Sequence, residues 1–248
     1  MKINIITILI CSLLSMTSFA DEQADLIAAG DSLKAIHEYN LAIEKFDQAV
    51  TLDSMNTEAN WKLAASINLF AELQAKDLQL DLYERASKAA GRTITLDSLQ
   101  PEGHFQLARA LGKIALFKGI FKSVGLAKRV KKEVEIVLEL DPNHDGAYHI
   151  LGRWHREVAK KPKFIRVPLG LGAADKKKGL PLLEKSVELR PAFIHHRLEY
   201  GISLLDRDHE KEAKEQFEIC LSLPADGPLD IKYQDEAKDY LAKLDENN

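Results

Sequence analysis

The chain has 248 residues, 46% of them hydrophobic and 29% charged, and its 34 basic and 38 acidic side chains give a formal net charge of −4. That size supports one or two domains with a sizeable core, and the 13 glycines and 8 prolines are too few for a low-complexity linker. The acidic balance argues against a nucleic-acid partner, and two cysteines, Cys11 and Cys220, rule out a disulfide framework.

Residues 1–20 read as a signal peptide: Lys2 supplies the positive start, Ile3 to Leu14 are largely apolar, and Ser18-Phe19-Ala20 places small residues where a signal peptidase reads. The apolar run is shorter than the roughly 20 residues that a spanning helix needs. Ile10 precedes Cys11 where a lipid-attachment site wants a small residue. Cleavage after Ala20 is expected, leaving one helical repeat domain over 21–248 in a periplasmic or extracellular setting. The cut removes Lys2 and no acidic residue, so the net charge moves from −4 to −5. Cys220 then has no partner within the chain.

From there the pattern repeats. Thr51-Leu52-Asp53-Ser54 returns 44 residues later as Thr95-Leu96-Asp97-Ser98, and Leu140-Asp141-Pro142 follows after another 44. Leu189-Arg190-Pro191 and Leu223-Pro224 continue the series. Each such turn lies between two helical patterns, so the unit is a pair of helices and a turn. The first unit runs from about Gln23 to Asn56, with Leu26, Ala29, Gly30 and Leu33 on one helix and Ala42, Phe46 and Ala49 on the next. Asn60, Leu63, Ala64 and Ile67 open the second unit, His104, Leu107, Ala108 and Leu111 the third, and Tyr148, Leu151 and Gly152 the fourth. The last unit places Tyr200, Gly201 and Leu204 before Ala213, Phe217 and Cys220. Extra length in the middle units predicts longer helices or loops near 70–80, 113–125 and 160–178. Asp230 to Leu244 reads as one more amphipathic helix, a cap for the end of the stack.

These residues resemble the tetratricopeptide repeat (TPR), in which small residues let paired helices approach and an aromatic fills the gap between pairs. The expected fold is all-α, a TPR-like α-solenoid of about five helix-turn-helix repeats with a C-terminal capping helix. Leu140-Asp141-Pro142-Asn143, then Leu151-Gly152-Arg153-Trp154, a loop containing Pro and Arg, and Leu183-Glu184-Lys185 leading to Pro191 are similar to the regulator of microtubule dynamics family. The segment from Pro224 to Leu241 resembles that family's C-terminal end. The resemblance implies a helical repeat that associates with microtubules or membranes.

Local signatures of catalysis are missing. Gly170-Leu171-Gly172-Ala173-Ala174-Asp175 begins like a dinucleotide fingerprint but follows no strand and has Asp in place of the third glycine. His149 and His155 lie six apart, His195 and His196 are adjacent, and neither pair has the i, i+4 spacing that lets two imidazoles share a zinc. The histidines therefore read as isolated core or surface residues. No enzyme activity, cofactor or metal is expected.

The TPR resemblance implies that the first helix of each unit lines a concave groove. Its inward positions correspond to Trp61 and Asn68, to Phe105, Arg109 and Lys113, and to His149, Arg153 and Arg156. That groove would be aromatic at one end and basic in the middle, and arginine's planar fork suits a carboxylate. The expected function is a scaffold or adaptor that holds an acidic peptide segment or partner protein. Residues 113–178 carry 16 basic and 7 acidic side chains, enough polarity to steer such a partner. The alternative is a peripheral membrane- or cytoskeleton-associated protein acting through the 160–172 loop, where Lys163, Phe164, Ile165 and Arg166 mix charge with apolar surface suited to an anionic membrane.

Overall fold

The computed structural model describes residues 21–119 and 122–246, so the expected leader lies outside the described residues. Helix α1 covers 21–35, followed by α2 (Tyr39–Leu52), α3 (Thr57–Leu73), α4 (Lys76–Leu96), α5 (Pro101–Lys118) and α6 (Val124–Leu140). Then come α7 (Asp145–Ala159), the short α8 (Lys163–Arg166), α9 (Lys176–Leu189), α10 (Ile194–Leu205), α11 (Glu210–Ser222) and α12 (Pro228–Glu246). They pack as antiparallel pairs α1–α2, α3–α4, α5–α6, α7–α9 and α10–α11, with α12 against the last pair. This is the expected solenoid of five hairpins and a cap.

The recurring Leu-Asp turn has one physical role in three places. Asp53, Asp97 and Asp141 each end a helix with the backbone N–H bonded to the carbonyl four residues back, at 3.1, 2.8 and 2.7 Å. Each then turns its carboxylate forward to accept from the amide two residues on, Met55, Leu99 and Asn143, at 2.8, 2.9 and 3.0 Å. This Asx turn satisfies the helix end and starts the next helix. The next helix is capped by Asn56, Gln100 or His144, whose side chains accept from Ala59, Glu102 and Ala147.

The first and last pairs are built alike, offset by 171 residues along the chain. Gly30 and Gly201 face Phe46 and Phe217, and a Cβ on either glycine would come within 2.6 Å of the ring. Ala42, Phe46 and Ala49 match Ala213, Phe217 and Cys220, all fully buried. His37 and Asp208 both turn with φ of 63°. The middle pairs absorb their extra length as helix. α3 and α4 are 17 and 21 residues long and are joined by Gln74 and Ala75, while among the described residues only 160–175 forms a long connection.

α12 does more than cover the end of the stack. It packs on α10 and α11 and also reaches α3, near the opposite end of the described chain. Tyr233 Oη donates to Glu72 Oε2 at 2.8 Å, and Lys232 Nζ to Glu72 O at 2.7 Å. In the preceding turn, Asp226 lies 3.7 Å from His37 Nε2, and Gly227 lies flat against the same imidazole. The solenoid is thereby bent until its two ends touch.

Candidate functional site

Bending the stack turns the concave face into a cavity of about 1190 Å³. The first helices α3, α5, α7 and α10 form its wall, and α12 and the α1–α2 turn close it. Six of the eight residues expected in the groove line it: Trp61, Phe105, Arg109, Lys113, His149 and Arg153. Asn68 and Arg156 do not. Asn68 is fully buried between α3 and α5, donating to Gln106 O and Oε1 at 3.1 Å. Arg156, three residues beyond Arg153, is turned into the α7–α10 contact. There it donates to Glu199 O, Ser203 Oγ and Glu199 Oε2 at 3.1, 3.0 and 2.5 Å.

Two buried carboxylates organise the cationic wall. Glu72 on α3, with its side chain 2% exposed, meets Arg109 Nη2 at 2.6 Å and Lys113 Nζ at 3.1 Å. Burial by itself would raise its pKa, but Lys113 and Arg109 hold it well below the usual carboxylate range. Glu199 on α10 meets Arg153 Nε at 3.1 Å as well as Arg156, and those two arginines hold it well below its usual range against the same burial. The charge that sequence reading assigned to an incoming acid is thus partly met from within the protein.

Over the whole lining the charges balance, seven basic side chains against seven acidic ones. Arg109, Lys113 and Arg153 face two buried carboxylates, while Glu157 and Asp206 also serve Arg156. Burial, Arg153 and Arg109 together lower the Lys113 pKa although Glu72 is its partner. Lys34, at the cavity's α1 side, stands 5.9 Å over the Trp61 ring and has no carboxylate within ion-pair distance among the described residues. Burial, with Glu72 nearby, raises the Tyr233 hydroxyl well above its usual range, so it stays a neutral donor.

The histidines are brought together rather than isolated. His149 Nδ1 is 3.0 Å from His196 Nδ1, the His149 and His195 rings are 4.6 Å apart, and His195 stacks on Tyr233 at 4.0 Å. Spacing along the chain missed this because the rings come from α7 and α10, paired only by tertiary packing. Among the described residues no group of three or more His, Cys, Asp or Glu side chains is placed to hold a metal ion. Glu72, Glu199, His195 and Tyr233 were also missed. Glu72 had a signal, since it lies three helical turns after Trp61 on one inward stripe.

The 160–172 segment divides in two. Leu171 is buried in the core between α6 and α7, and Arg166 bridges back to the carbonyls of Lys161, Gly172 and Ala174. Ile165 is half-buried, while Phe164 is 78% and Val167 50% exposed beside exposed Lys161 and Lys163. Lys128, Arg129 and Lys132 lie on the solvent side of α6 and Lys122 is exposed just before it, so only part of the basic middle belongs to the cavity.

Helical hairpins stacked with their first helices inward define a tetratricopeptide-type α-solenoid. Solved structures of that kind are similar over most of this chain. A thermophilic TPR protein of Thermus thermophilus, TTC0263, matches with a TM-score of 0.64 at 16% identity over 89% of this chain and 99% of that one. PilF of Pseudomonas aeruginosa matches at 0.53 and 14% over 92% and 90%, and MamA (residues 41 to the end) of Desulfovibrio magneticus RS-1 at 0.52 and 16% over 82% and 95%. No curated protein matches the chain by sequence. The family model for regulator of microtubule dynamics protein 1-3 matches residues 22–245, and the chain belongs to that family.

Proposed function

We propose that the protein is a non-enzymatic scaffold that holds an acidic segment of a partner protein in its cavity. The supporting observation is the cluster of cations on one concave wall, Arg109, Lys113 and Arg153, with Lys34 at the cavity's α1 side in no ion pair among the described residues. Trp61 and Phe105 add partly exposed aromatic faces, which suit side chains flanking the acid. The chain's two tryptophans, Trp61 and Trp154, both line the cavity and report on its contents.

Their fluorescence should change saturably with acetyl-hexaglutamyl-amide and not with its glutamine counterpart. Lys34→Glu should weaken the acidic peptide about tenfold, the scale of one desolvated charge contact. Equal response to both peptides would refute the acidic preference. Export is part of the proposal, and protein recovered from cells should begin at Asp21.

A second reading has its own support in the exposed Phe164 and Val167 beside Lys161 and Lys163. It is peripheral contact with an anionic membrane, in keeping with a membrane- or cytoskeleton-associated role. It predicts sedimentation with phosphatidylserine vesicles that Phe164→Ser abolishes; no pelleting at low salt would reject it.

A further inference from the structure

Two imidazoles in the cavity wall fix each other's protons. His196 Nε2 lies 2.8 Å from Asp145 Oδ2, and His196 Nδ1 lies 3.0 Å from His149 Nδ1. Burial would raise the Asp145 pKa, but His196 and Arg190 keep it below its ordinary value, so the carboxylate is the acceptor and His196 Nε2 carries the proton. His196 Nδ1 must then accept, and His149 Nδ1 must donate. The nitrogen left without a proton is Nε2 of His149, a residue that lines the cavity.

The chain Asp145–His196–His149 can take up one proton without rearrangement. Added at His149 Nε2, it preserves both hydrogen bonds. Added at His196 Nδ1, it would set two N–H groups against each other. Burial, then His195, His196 and Arg153, oppose the first of these and hold the His149 pKa well below its usual value. The groups around the ring are Asp145 and Arg153 on α7, His195, His196 and Glu199 on α10, and Arg190 in the turn before α10. On α12, Tyr233 is neutral and stacks on His195. On α5, Arg109 and Lys113 are committed to Glu72, and behind Asp145 the Glu102 carboxylate is 3.5 Å from His144. A new negative charge beside Arg153 offsets the cation that acts against His149.

We propose that His149 is a proton-coupled contact for the acidic group of the partner segment: entry of the acid draws one proton from solvent onto Nε2, and the imidazolium, backed through His196 by Asp145, becomes one more cation of the site. This rests on the acidic-segment reading above. Because binding takes up a proton, affinity rises as pH falls.

The test is calorimetry of the full-length chain with acetyl-hexaglutamyl-amide, in pairs of buffers of different ionisation enthalpy, at about pH 6 and about pH 8. Uptake should approach one proton per peptide at the lower pH, with affinity gaining at most about tenfold per pH unit. His149→Asn keeps an N–H to donate to His196 but has no titrating nitrogen, and its uptake should vanish while the peptide still binds. Asp145→Asn should reduce uptake, and Lys34→Glu should weaken binding with uptake unchanged. Binding without proton uptake in the parent protein, or equal uptake in His149→Asn, would overturn the proposal while leaving the acidic preference intact. No binding at either pH would overturn both.

Discussion

The ends of this solenoid rest on apolar contact, while its middle adds buried charge to the same kind of packing. In the first and last hairpins a glycine lies against a buried phenylalanine, Gly30 on Phe46 and Gly201 on Phe217, with small residues completing the contact. Across the concave face, between one hairpin and the next, the helices are also joined by buried charge, Glu72 to Arg109 and Lys113 and Glu199 to Arg153 and Arg156, with the Tyr233 hydroxyl donating to Glu72. Apolar contacts can be made by any neighbouring pair of helices, whereas a buried charge demands its partner in place. The ends are therefore generic repeat units, and the middle specifies how far this stack bends.

The largest effects should come from cutting each region at its centre. Phe217→Ala and Glu72→Ala are each expected to cost about 3–5 kcal/mol in denaturant unfolding, the first by cavity formation and the second by leaving buried cations unpaired. The two differ in rescue. Adding Arg109→Leu to Glu72→Ala should recover part of the loss, whereas no neighbouring charge change should help Phe217→Ala. If both respond alike, the contrast between ends and middle is wrong.

Acid should then separate the regions. Burial pushes the His195 pKa down to about 4 from an ordinary 6.5, with Arg153 adding to the effect, so between those values the unfolded chain binds the proton and the folded chain does not. Its stabilisation is complete above 6.5 and is lost as pH falls to about 4, a change of about 3 kcal/mol. His195→Gln should flatten unfolding curves over that window. Smaller still, Tyr233→Phe removes one hydrogen bond to a buried carboxylate and should cost about 1–3 kcal/mol. Hydrogen exchange should show faster opening of α12, with the first hairpin unaffected. Asp97→Ala, which deletes one Asx turn at the α4–α5 junction, should cost about 1 kcal/mol by thermal unfolding.

The periodic sequence determined the hairpins, their turns and the inward face of each first helix. Those features depend on contacts between residues a few positions apart, or on a motif repeated at fixed spacing, and both can be read along a chain. Hence six of the eight residues expected on the inward face, Trp61, Phe105, Arg109, Lys113, His149 and Arg153, line one cavity. What covers that wall was a matter of tertiary structure. Tyr233 meets Glu72 161 positions away, and His196 meets His149 47 positions away. No period links such pairs, because their meeting is set by the accumulated rotation of five stacked hairpins. That curvature places Glu72 beside Arg109 and Glu199 beside Arg153 and turns an open groove into a cavity.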